Sequence, residues 1–173
     1  MPGLSAGEER KAAMPLERRE ALRVWLRLLS SSSAVEREIQ ARLRDRFGVS
    51  LARFDFLAQL ERADGGELTM TELSQQLMVS GGNITGLTDR LAKEGLVERR
   101  AHPADRRVQS IDLTSEGKAL FAEMAGEHAQ WVSEILSKLE AEDFDVLLKA
   151  LGTIKESADR AAAKRAGSGG GKQ

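Results

Sequence analysis

LTMTELSQQLMVSGGNITGLTDRLAKEGLVERRAHPADRRVQSIDL, residues 68–113, changes its apolar period from helical to strand-like where an arginine-rich turn intervenes. Thr71 to Met78 places Leu73 and Leu77 four residues apart, one apolar stripe on a short helix. Ser80-Gly81-Gly82-Asn83 then supplies an N-cap hydroxyl and two permissive glycines. Ile84, Leu87 and Leu91 recur at spacings of three and four and predict a second helix. Gly95 ends it, because a residue without Cβ accepts the left-handed backbone that closes helices. Glu98 to Arg107 can bury nothing of size and carries Pro103, so it reads as a hairpin tip between strand-like Leu96-Val97 and Gln109–Leu113. Within the second strand Ile111 and Leu113 alternate with Ser110 and Asp112, one face for a core and one for water.

Two short helices followed by a basic hairpin predict a winged helix-turn-helix, an arrangement that grips double-stranded DNA. Its second helix enters the major groove, so the solvent face needs small or short polar residues that let the backbone approach base edges. That face holds Gly82, Asn83, Thr85, Gly86, Asp89 and Lys93, with Ser80 ahead of it and Arg90 beside it as further contacts. Asn83 can donate and accept at an adenine edge, and Thr85 can offer a hydroxyl to phosphate or a methyl to thymine. Asp89 has two readings, a carboxylate that orients Arg90 or Arg99 within the protein, which is favoured, or a direct contact to cytosine. In the hairpin a guanidinium is thin enough to enter the minor groove, and Arg107 is the leading candidate. Arg99, Arg100 and Arg106 are assigned to backbone phosphates, where they raise affinity without reading sequence.

Lined up, these residues resemble the MarR (multiple-antibiotic-resistance regulator) family of bacterial transcription factors. The likeness rests on the Leu73/Leu77 helix, on Ser80 to Leu87, on Leu91-Ala92-Lys93-Glu94-Gly95-Leu96-Val97-Glu98-Arg99, and on Asp105-Arg106-Arg107 followed by Leu113-Thr114-Ser115-Glu116-Gly117. It implies a mainly α fold with a small β-hairpin wing and long N- and C-terminal helices that interleave in a homodimer. It also implies that Asp105 pairs with Arg107 and aims it into the groove. The chain departs from the family at Gly81 and Gly86, where many relatives carry a basic residue, so the wing is expected to carry a larger share of the affinity. Two recognition helices on a two-fold axis would read a near-palindromic operator about one DNA turn apart.

The flanks supply the long helices. Leu22, Trp25, Leu26 and Leu29 form one stripe and Val35, Ile39, Leu43 and Phe47 continue it, predicting a long first helix kinked at Ser30–Ser33. Leu51 to Leu60 predicts a helix beneath the helix-turn-helix, ending in the turn Asp64-Gly65-Gly66. Thr114-Ser115-Glu116-Gly117 resembles a helix start, followed by Leu120, Met124, Trp131, Ile135 and Leu139. A last helix from Glu142 carries Phe144, Leu147, Leu148, Leu151 and Ile154, a stripe apolar enough to need a partner. The expected organisation is a disordered arm over 1–14, dimerisation helices over 15–47 and 115–162, a winged helix-turn-helix over 48–114, and a disordered tail over 163–173.

Composition bounds the function. A chain of 173 residues, 41% hydrophobic, can bury a core as a single domain. It has no membrane-length apolar run and no secretory leader, so a cytoplasmic, membrane-free protein is expected; the lack of cysteine agrees and excludes a thiol switch. A net charge of −1 argues against indiscriminate coating of nucleic acid, yet Arg90 to Arg107 holds six basic against three acidic side chains. Glu140 to Asp159 holds six acids against two lysines and should face away from DNA.

Catalysis is not expected. His102 and His128 are the only histidines, and no phosphate loop, cysteine nucleophile, metal-ligand set or cofactor motif is present. The resemblance implies instead a small-molecule effector, an anionic aromatic carboxylate or an aryl-coenzyme A thioester of aromatic-compound catabolism, that releases a repressor from DNA. Candidate pocket residues are Arg23, Trp25, Arg27, Ser30, Arg53, Phe54 and His128. Nine arginines against five acids between Glu17 and Arg53 would suit such an anion, or would lie over the helix surface and pair with Glu36, Glu38 and Asp45. The alternative class is a winged-helix protein-interaction module, an anti-repressor or scaffold; a wing with four arginines speaks against it.

Overall fold

The computed structural model describes residues 15–63, 67–77, 81–102 and 105–168. The elements run α1 (Leu16–Phe47), α2 (Leu51–Arg62), β1 (Glu67–Thr69), α3 (Met70–Gln76), α4 (Gly81–Lys93), β2 (Val97–His102), β3 (Asp105–Leu113), α5 (Ser115–Ile135) and α6 (Ala141–Ser168). The fold is mainly α with a small antiparallel sheet. It divides into two compact units, Met1–His128 and Ala129–Gln173, with the division falling inside α5. The expected N-terminal arm, the 64–66 turn and the end of the tail lie outside the described residues.

In the first unit α1 is helical straight through Ser30–Ser33, with no break at the serines. Ser30 turns its hydroxyl back onto the Arg27 carbonyl at 3.1 Å, so the polar run is satisfied without interrupting the helix. Gln40 then fixes the corner, its Oε1 accepting the Leu51 amide at 2.9 Å, while Ser50 caps α2 by accepting from the Arg53 amide at 3.3 Å. Phe54, Phe56, Leu57, Ala58 and Leu60 of α2 are buried together with Ile39 and Leu43 of α1. Leu73 of α3 and Ile84, Thr88 and Leu91 of α4 join that core. Thr88 is tolerated there because its hydroxyl donates to the Ile84 carbonyl at 2.8 Å.

Strand β1 is a finding that periodicity could not give, since three residues carry no pattern. It makes the sheet three-stranded in the order β1-β3-β2. Leu68 lies opposite Ile111 and Val97 opposite Leu113, so these four share the buried face. Thr69 ends β1 and starts α3 with a capping box: its hydroxyl accepts the Glu72 amide at 3.2 Å and Glu72 accepts the Thr69 amide at 2.8 Å.

The end of α4, the sheet and the start of α5 meet at one junction. Gly95, at φ 75°, turns the chain so that the Leu96 amide reaches the Leu91 carbonyl at 2.9 Å. Thr114 donates its amide to the Leu96 carbonyl at 3.1 Å and its hydroxyl to the Gly95 carbonyl at 2.6 Å, and it accepts the Gly117 amide at 3.0 Å as the cap of α5. Gly117 is pressed so closely against this turn that a Cβ there would stand 2.0 Å from the Leu96 carbonyl oxygen.

In the second unit Glu140 donates its amide to Asp143 at 3.0 Å and α6 follows. The helix continues past Ala163 to Ser168, where low hydrophobicity predicts disorder. The reason is local: Arg160-Ala161-Ala162-Ala163-Lys164-Arg165-Ala166 has no apolar period but consists of strong helix formers. Phe144, Leu147, Leu148, Leu151 and Ile154 lie exposed along α6.

Gly117→Ala is therefore expected to cost about 1–3 kcal/mol or more in urea denaturation, because the backbone at Leu96 must move. Gly126→Ala in the same helix, where an added Cβ meets nothing within 4 Å, is expected to be neutral or to gain about 0.5–1 kcal/mol. Equal midpoints for the two variants would refute the packing assignment.

Candidate nucleic-acid interface

Helix α4 buries Ile84, Thr88 and Leu91 on one side. Stepping around the helix at 3.6 residues per turn, the opposite side is the row Gly82, Gly86, Asp89 and Lys93, with Thr85 on one flank. Asp89, Lys93 and Thr85 are exposed, and Gly86 adds no side chain. This outward row matches the small and polar face expected of a groove-reading helix. Asn83 and Arg90 sit on the other flank, lining a cleft of about 250 Å³ with Ser50, Asp55, Leu77 and Leu87, so they stand toward the start of α2. No carboxylate among the described residues pairs with Arg90 or Lys93 in a salt bridge, which leaves both cations available to an external anion. Ser80 lies outside the described residues.

Hydrogen bonding of the basic residues separates two groups that the sequence treats alike. Arg99 reaches from β2 to Asp89 on α4, an ion pair that ties the hairpin to the helix. Of the two readings of Asp89, the geometry is that of a carboxylate orienting Arg99. Arg100, one residue on, points to the opposite face of the sheet and pairs with Glu98 and, at 3.6 Å, with Asp112. Strand alternation combined with the β2–β3 register would have found the second partner, but register is not written in a single strand. His102, Asp105, Arg106 and Arg107 belong to β2 and β3 by backbone, where His102 faces Asp105 across a register irregularity. Their side chains, and with them the expected Asp105–Arg107 pair, lie outside the described residues.

The seven candidate effector residues fall in separate places. Arg23, Arg27 and Ser30 share one side of α1, where with Glu20, Val24 and Leu26 they line an open groove of about 900 Å³. Trp25, on the same helix, is 53% exposed but does not line that groove. Arg53 is committed to Glu94, just past α4, through two contacts of which one is 3.2 Å. Phe54 is buried, stacked on His128 with ring centroids 4.7 Å apart and close to Phe121 at 5.6 Å. The sequence signal for the Phe54–His128 contact is absent, since the two residues lie on different helices far apart in the chain. Among the described residues no group of three His, Asp or Glu side chains could hold a metal ion, and no helix is long and apolar enough to cross a membrane.

Burial pushes the His128 imidazole below its ordinary value, against the pull of the neighbouring Asp55 carboxylate. Burial likewise raises Asp55, opposed by His128 and Arg62. A histidine depressed in the folded state contributes stability above its ordinary pKa of 6.5 that is lost as pH falls through the folded value. Melting temperature should therefore rise with pH between about 5 and 7. In His128→Phe, which keeps the stack on Phe54, that rise should flatten; an unchanged profile would remove His128 as its source.

Comparison with known proteins places these elements in one family. The MarR family model matches residues 47–108, from the end of α1 into β3. The transcriptional repressor YetL of Bacillus subtilis (strain 168) is 38% identical over 109 residues, which are 63% of this chain and 65% of that protein. The chain thus spans just under two thirds of the length of that curated relative. A MarR family transcriptional regulator from Silicibacter pomeroyi, known as a crystal structure, is 32% identical over 83% of this chain and 99% of its own, with a TM-score of 0.70. Sco3205, a MarR family regulator from Streptomyces coelicolor solved in complex with DNA, shares the fold with a TM-score of 0.70 at 24% identity, over 80% of this chain and 88% of its own. The motifs around Gly95 and Asp105-Arg106-Arg107, the winged helix-turn-helix built from them and the match along almost the full length of a solved member agree: this chain belongs to the MarR family.

Proposed function

We propose that the protein is a DNA-binding transcriptional regulator, a repressor that acts as a homodimer on a near-palindromic operator. The observation that carries this reading is the outward row of α4, small or short residues over a buried Ile84, Thr88 and Leu91, standing beside a basic hairpin that Arg99 ties to the same helix. Such a face admits the helix to a major groove while the hairpin reaches the adjacent minor groove. YetL is named a repressor and Sco3205 was solved with DNA, which supports the same assignment here. The dimer is supported by apolar surface left uncovered in the single chain: Leu22, Trp25, Leu26 and Leu29 on α1 and the α6 stripe are each at least two fifths exposed. Two half-sites multiply a modest single-site affinity.

Arg107→Ala is expected to weaken operator binding about tenfold to a hundredfold in a gel-shift titration. Light scattering should show it to remain a dimer like the parent protein. Affinity of the parent should fall steeply with salt, with a logarithmic slope of about −0.9 per phosphate contact. A flat salt response with unchanged Arg107→Ala binding would instead favour a winged helix that docks on protein, and a monomeric parent would remove the palindrome.

For the effector we propose a small aromatic anion, a carboxylate or an aryl-coenzyme A thioester. Support comes from the α1 groove, where Arg23 and Arg27 lie one turn apart on an open wall that includes Val24 and Leu26. A panel of aromatic acids and their coenzyme A thioesters should contain a compound that raises the melting temperature. Arg27→Gln should lose that rise. A shift that survives in this variant would place the effector elsewhere.

A further inference from the structure

The face of the sheet opposite Leu68, Ile111 and Leu113 carries a feature that neither family likeness nor groove reading explains. Glu67, Asp112 and Glu98 stand directly opposite one another on β1, β3 and β2, three carboxylates in a single cross-strand row. Like charges in that relation repel. Asp112 is more enclosed than Glu98, its side chain 17% exposed against 42%, with Oδ1 buried and lacking a hydrogen-bond partner. Ser110, fully buried in the next row, donates its hydroxyl to Glu67 at 2.8 Å and so steadies one end of the row. The cation that answers the other two is Arg100, which hydrogen-bonds Glu98 and lies diagonally across from Asp112 at 3.6 Å. Among the described residues no second Lys or Arg forms an ion pair with this row. The hydrogen bond to Glu98, followed by the charges of Glu98, Asp112 and Glu67, in turn holds the Arg100 guanidinium above its ordinary value.

Arg100 also stands at a mechanical boundary. It faces Ser110 in regular register, and the irregularity of the β2–β3 pairing begins one residue later, between Ala101 and His102. Beyond that point lies the hairpin end with Arg106 and Arg107. A diagonal tie from Arg100 to Asp112 fixes how far β2 slides along β3 immediately before the tip. Removing it leaves an enclosed carboxylate flanked by two others, a cost larger than that of losing an exposed pair.

We infer that Arg100 is a positioning residue of the wing: it neutralises the Glu67–Asp112–Glu98 row and thereby sets the pitch of the hairpin, and it does not serve as a phosphate contact. The inference rests on the DNA-binding reading for its functional consequence but not for its structural one. It is tested with Arg100→Gln, Asp112→Asn and the double variant, each titrated with operator across a salt series and unfolded in urea. Arg100→Gln should lose affinity about threefold to tenfold, with the slope of affinity against salt unchanged. Its effect on affinity and on the urea midpoint should largely vanish in the Asp112→Asn background. A slope reduced by about one phosphate, with the same loss in both backgrounds, would make Arg100 a direct phosphate contact and overturn the inference. So would unaltered binding and stability in Arg100→Gln. Should the parent protein bind no DNA, the regulator reading fails, while the urea comparison still decides whether Arg100 and Asp112 are coupled.

Discussion

Everything that presents α4 outward depends on a close approach of backbone to backbone where the helix-turn-helix, the sheet and α5 converge. The Leu96 carbonyl receives the Thr114 amide, and Gly117 lies so near it that no side chain fits. Gly95 supplies the left-handed turn that brings Leu96 there, and Thr114 binds the Gly95 carbonyl while capping α5. A short chain of hydrogen bonds thus fixes the exit of the recognition helix, the return of the hairpin and the departure of the long helix at once. Small residues are needed at this junction for steric reasons that are independent of any ligand.

That economy explains why the sequence was readable where it was. Leu73, Ile84 and Leu91 on helices and Ile111 and Leu113 on a strand are all buried, and each recurs at the period of its element. Thr114-Ser115-Glu116-Gly117 announces a helix start because capping chemistry is local. What escaped was short or aperiodic. Strand β1 is defined by its partner β3 and not by its own three residues, and the last turns of α6 are held by alanine-rich propensity without an apolar face. Helix α1 runs unbroken through Ser30–Ser33, where the Ser30 hydroxyl folds back onto the Arg27 carbonyl.

The candidate interface was legible in part for the same reason. Which residues of α4 face outward follows from helical stepping, so Gly82, Gly86, Asp89 and Lys93 could be placed on one side from spacing alone. Pairing across elements could not. Asp89 meets Arg99 and Arg53 meets Glu94 because α2, the end of α4 and β2 fold together, and a run of arginines gives no sign of which are already engaged. The assignment of Arg99 and Arg100 to phosphates treated adjacent cations as equivalent, whereas strand alternation sends them to opposite faces.

The strand order has a consequence for solubility. With β3 in the middle, no further strand pairs with β1 or β2 among the described residues, and unpaired amides and carbonyls on such a margin invite another chain to add itself. The β1 margin offers only three residues before the chain turns into a helix, too little to template an intruder. On the longer β2 margin Glu98, Arg99 and Arg100 follow one another, so any incoming strand must accept charge on both of its faces within three residues. The same side chains that shape the wing therefore discourage sheet-to-sheet aggregation.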